Sequence, residues 1–163
     1  MLLALLIAAT VQGPFDIESL TASADAVVYG RVIRRTSAWT KGGGQIFTAV
    51  VLHSIEAWKG TPAGEVTVLV PGGEVGDLSQ TVQGAAAFRD GEEVVVFLHR
   101  RAPGTYGVEG MALGKFAVGA PADLPKRAMR DRHGLTCLRC APAEQDDLSL
   151  DELRARVLRS ARR

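Results

Sequence analysis

A chain of 163 residues, about 150 of them left once an apolar leader is removed, makes one ordinary domain and is long enough to bury a real core. Its 19 basic and 18 acidic residues nearly cancel, so the charge balance argues against a nucleic-acid partner. No segment after the leader is apolar for long enough to span a membrane, which takes roughly 20 residues of helix.

The leader reads MLLALLIAATVQGPF, and its apolar stretch Leu2 to Ala9 followed by small residues predicts a signal peptide over residues 1–13. Cleavage after Ala9, Thr10 or Gly13 fits. No Lys or Arg precedes the run, which is atypical, and a buried first helix is the alternative. Export would put the mature product outside the cell, in the periplasm or in the cell envelope.

Phe15 to Asp25 reads as a short helix packing Ile17 and Leu20. AVVYGRVIRR then starts a strand rich in β-branched residues, with Gly30 marking a bend or a close backbone approach. SAWTKGGGQ supplies a turn. IFTAVVLHSIEAWKG is the longest strand candidate, and its alternation puts Phe47, Ala49, Val51, Ile55 and Ala57 on one face with His53, and Val50 and Leu52 on the other. A lone histidine on an apolar face reads first as a hydrogen-bonded core or rim residue. EVTVLVPGG is a half-buried strand with Val66, Val68 and Val70 on one side, forming a hairpin with its predecessor.

GEVGDLSQTVQGAAAFRDGE lacks sustained periodicity and predicts a long loop with one turn of helix, of a length that often carries function. PGGEVG lacks the lysine and helix of a phosphate cradle and reads as turn chemistry. Val94 to Leu98 predicts a central strand buried on both faces, with His99 at its exposed end. Two short strands follow, Thr105 to Glu109 and Leu113 to Val118, broken near Gly110. Ser149 to Glu152 forms a capping box opening an amphipathic helix whose apolar stripe holds Leu150, Leu153, Val157 and Leu158. Residues 126–163 carry 10 basic against 6 acidic residues, which reads as a solvated helix face before an anionic docking site.

Together these elements predict a mainly β fold: a small antiparallel β-barrel of five to six strands with a short N-terminal helix and a C-terminal helix. A β-sandwich is the alternative. The barrel is expected over residues 14–120 and the Cys-x-x-Cys connection with its helix over residues 121–163.

ADAVVYGRV, EAWKG, GEVTVLVPGGEVG, GEEVVVFL and GVEGMALGKFAV, across Leu20 to Val118, resemble a group of uncharacterised bacterial secreted proteins. That group is similar to the superfamily of tissue inhibitors of metalloproteinases and netrin modules, and the resemblance implies an oligonucleotide/oligosaccharide-binding (OB-like) type of barrel. In those inhibitors an N-terminal Cys-x-Cys chelates the protease zinc. No cysteine here precedes Cys137, so the resemblance implies the fold and not the inhibitory mechanism.

RHGLTCLRCAP holds both cysteines. Cys137 and Cys140 with His133 leave three readings open: a local disulfide, a metal site short of the usual four ligands, or a redox pair lacking the strand-to-helix setting that activates a thiol. No hydrolase elbow, HExxH or paired-carboxylate pattern occurs, so no catalytic residue, enzyme activity or cofactor is assigned. The expected function is a secreted or envelope-associated, non-catalytic binding module for a protein or saccharide, with Trp39, Trp58, Glu74 and Asp77 as candidate contact residues. The alternative is a metal-binding or thiol-redox envelope protein using His133, Cys137 and Cys140.

Overall fold

A computed structural model of the chain describes residues 9–132, 135–138 and 143–163. The fold is mainly β. Strand β1 (Ala9–Gln12) leads to helix α1 (Ile17–Ser23), which is capped by Asp16, whose Oδ1 accepts from the Ser19 amide at 2.7 Å, and which buries Ile17 and Leu20 as expected. The long strands β2 (Ala26–Trp39) and β3 (Ile46–Lys59) form a hairpin, extended by β4 (Glu65–Pro71).

Next come β5 (Gly73–Val75) and β6 (Leu78–Gln80), a hairpin where the sequence predicts a loop with a helical turn. Gly76 and Asp77 form a two-residue turn with Gly76 at φ 60°, a glycine conformation that suits such a turn and needs no surrounding periodicity. Strands β7 (Glu93–Ala102) and β8 (Thr105–Val108) form another hairpin. A 3-10 turn over Met111–Gly114 follows, so β9 (Lys115–Gly119) begins two residues later than the predicted Leu113. The chain ends with β10 (Arg127–Arg130), β11 (Leu135–Leu138), β12 (Asp147–Ser149) and α2 (Leu150–Ala161).

Five strands close on one another in the order β7-β2-β3-β4-β8 and back to β7. The barrel is antiparallel as expected except at the short β4–β8 pair, which is parallel at Thr67↔Thr105 and Val68↔Tyr106. A ring with an odd number of strands cannot alternate throughout, so one parallel pair is unavoidable. Closure at this short pair is partial. From the other side of β7 the sheet continues through β9, β10 and β12.

Two apolar clusters result. The barrel interior holds Val28, Val32, Leu52, Val68, Val96 and Leu98. The second lies between the outer wall and both helices, with Ile17, Leu20, Trp58, Phe97, Phe116 and Leu153. Strand β7 supplies both, Val94, Val96 and Leu98 pointing inward and Val95 and Phe97 outward, which is why its sequence is an uninterrupted apolar run. Ser149 caps α2 by accepting from the Glu152 amide at 3.1 Å. Arg156 binds Glu18 of α1 at 2.9 Å, and Arg154 pairs with Glu56 of β3, so part of the basic helix face is spent on docking the helix itself.

Buried Arg130 joins distant segments: its guanidinium donates to the Phe15 carbonyl at 2.9 Å and the Leu113 carbonyl at 2.7 Å, and lies 4.6 Å from the Phe116 ring centre. Burial pushes its pKa down to about 10 against the pull of Asp146, so it stays charged at neutral pH. Among the described residues no helix is long and apolar enough to cross a membrane.

Candidate binding face

The outer wall of the barrel is covered by α1 and α2 only in part, and irregularities in the β2–β3 pairing decide what the uncovered part displays. Register shifts fall at Val27/Val28, Tyr29/Gly30 and Val32/Arg34, leaving Trp58, Ile55 and Ile33 as residues without a direct partner across the ladder. Such bulges re-aim side chains and sharpen the coil of a strand. Gly30 shows how tight the bend is, since a Cβ there would meet the His53 carbonyl oxygen at 2.7 Å. Trp58 sits under the helices and stacks with Tyr29, ring centres 6.1 Å apart. Ile33 and Ile55 remain 45% and 47% exposed, next to His53 and Arg31.

Beyond the Val32/Arg34 shift the parity of β2 reverses: Arg34, Thr36 and Ala38 face outward opposite Val51, Ala49 and Phe47. This builds a groove of about 490 Å³ on the β2–β3–β4 wall, floored by Ala38, Phe47, Ala49 and Leu69, with Trp39 at its rim. Trp39 is 43% exposed, whereas Ile46 opposite it is buried. The Arg101 guanidinium, brought in by the β7–β8 hairpin, lies 5.3 Å from the Phe47 ring centre. The groove lies between the β2–β3 turn, tied by the Thr40 amide donating to the Gln45 carbonyl at 2.8 Å, and the β7–β8 turn around Gly104.

A second hollow, of about 420 Å³, lies beneath the segment after β4. Its lining is backbone and uncharged side chains such as Gly72, Gly73, Gln80 and Ala86, with no aromatic ring or ionisable group to direct a ligand. The functional weight placed on the long loop therefore shifts to the strand wall.

The candidate contact residues do not converge. Trp58 is 4% exposed and works as core, leaving Trp39 as the displayed tryptophan of the pair. Glu74 lies on β5 and Asp77 at the β5–β6 turn, both exposed and neither lining the Trp39 groove. His53, expected at a hydrogen-bonded core or rim position, faces solvent. Phe47, Leu69 and Arg101 were missed as site residues; the adjoining Gly-rich turn was the available signal. Cys137 lies in β11, whose backbone pairs in parallel with β1 in the register Val11↔Cys137, while His133 and Cys140 lie outside the described residues. Of the predicted leader, Ala9–Gln12 forms β1 and residues 1–8 lie outside the described range. No known family model matches the chain, and no curated protein matches it.

Proposed function

We propose that this chain is a non-catalytic binding module, exported to the cell envelope or secreted, whose ligand surface is the outer wall of β2, β3 and β4. The observation that carries the reading is a half-exposed Trp39 beside the Phe47–Arg101 stack, on an apolar groove that neither helix covers. Surface tryptophans held at the rim of a pocket are costly to leave in water and recur as binding anchors. The sequence resemblance to the inhibitor and netrin superfamily supports a binding role in general, and the lack of a cysteine before Cys137 leaves no inhibitor role to carry across.

The test is capture from envelope and culture-fluid fractions, and from a glycan array, by wild type and Trp39→Ala. A partner held by wild type and lost by the variant, at an unchanged melting temperature, supports the reading. A partner held equally by both, or none held by wild type, overturns it. An intact mass of the exported protein, taken without reductant, reads leader removal directly and the state of Cys137 and Cys140 with it.

A further inference from the structure

The groove's chemistry narrows the class of ligand, an inference that rests on the binding-module reading. Its lining is apolar except for the hydroxyls of Thr36 and Thr40, the indole N–H of Trp39 and a single ionisable group, Arg101. A sugar needs several directional donors and acceptors for its hydroxyls, because each hydroxyl desolvated without a partner weakens binding. Two threonine hydroxyls, of which Thr40 already donates to the Gly43 carbonyl, and one indole N–H do not supply them. A nucleic-acid strand needs cations in series along its backbone. Here Arg101 stands alone in the lining, and the nearby Arg34 already faces Glu65 at 3.5 Å.

Arg101 has no carboxylate partner among the described residues, and its Cζ lies over the Phe47 ring, 5.3 Å from its centre. A guanidinium over a ring face keeps N–H groups free to take a carboxylate with two parallel hydrogen bonds. The turns on either side are glycine-tipped, and around Gly42, Gly43, Gly44 and Gly104 there is open space where a side chain would project. A groove of about 490 Å³ suits one large side chain of a longer ligand, and neither glycine-tipped turn projects a side chain against that ligand.

We propose that this groove takes an extended protein segment that places an aromatic or branched apolar side chain next to a carboxylate. The side chain enters between Trp39, Phe47 and Leu69, and the carboxylate pairs with Arg101.

The experiment pans a displayed random-peptide library on the full chain as wild type, Trp39→Ala and Arg101→Glu, and measures enriched sequences as synthetic peptides, with mixed-sequence single-stranded DNA and a glycan array alongside. The expected result is an apolar residue next to Asp, Glu or a free C-terminus, at least tenfold weaker binding with Trp39→Ala, and a preference switched to Lys or Arg with Arg101→Glu. Peptides that need Trp39 but show no acidic preference, or that ignore Arg101→Glu, overturn the ligand chemistry while leaving the wall as the binding site. DNA or a glycan that binds through Trp39 where peptides do not bind likewise overturns the ligand chemistry alone. Peptides that bind Trp39→Ala as well as wild type, or a wild type that holds no peptide, DNA or glycan, overturn both readings.

Discussion

Acid should unfold this protein in part through one carboxylate. Glu93, at the start of β7, accepts from the Tyr29 hydroxyl at 2.5 Å and Lys126 Nζ at 2.6 Å on one oxygen, and from Arg31 at 2.6 Å on the other. These donors, Lys126 foremost, hold its carboxyl down at about 2, against an ordinary 4.5, and outweigh the opposing effect of burial. A depressed folded-state value stabilises the native form fully above the unfolded value, and that stability fades as pH falls from about 4.5 through about 2. The full shift corresponds to about 3 kcal/mol at neutral pH. Lys126 and Arg31 are about half-exposed, so water screens part of this, and about 1–2 kcal/mol is the expected share. The assay is urea unfolding of wild type and Glu93→Gln between pH 2 and pH 7. The variant should be less stable at pH 7, with the gap closing by pH 2. A gap of the same size at both ends would refute the reasoning, since Glu93 would then act through packing and not through charge.

Three further outcomes test how the barrel is held. Gly30→Ala drives a methyl to 2.7 Å from the His53 carbonyl, a backbone atom that cannot rotate away, so urea unfolding should show a loss of about 1–3 kcal/mol, and a loss under half of that would mean the bend is soft. Lys59→Met removes an ammonium that caps the end of α1 by donating to the Thr21 and Ala24 carbonyls, each at 2.6 Å. It should cost about 1 kcal/mol and speed amide exchange in α1 before it does so in β7, and equal exchange in the two would contradict the capping role. Ser149→Ala should cost about 1 kcal/mol by uncapping α2, and Ser149→Asp should recover most of it; failure of that rescue in thermal melts would show that the cap does not hold the helix.

Most elements were legible because their signals are local. The Ser149 cap, the apolar run of β7 and the glycines at turns each follow from a few adjacent residues. The hairpin of β5 and β6 was missed although Gly76–Asp77 between short segments is itself a turn signal, because three-residue strands carry no period to count. The parallel β4–β8 pair was hidden for another reason: it follows from how many strands close the ring, which no window of sequence reports.

Strand β3 shows why the candidate face was the least legible part. Both of its faces are apolar, and alternation separates Phe47, Ala49 and Val51 from Val50 and Leu52 without saying which set lies inside. The structure puts Val50 and Leu52 inside and His53 with Ile55 outside, so the first set forms an outer wall whose hydrophobicity the core does not require. The helices account for some of it by covering Trp58. The bulge at Ile33 accounts for the rest of the arrangement: it reverses the parity of β2, turns Thr36 and Ala38 outward and completes the groove beneath Trp39. Had β2 run without that shift, Arg35 and Ser37 would face outward and the wall would be polar on that side. The residue that breaks the ladder is therefore the one that makes the groove, and neither its place nor its effect can be read from alternation alone.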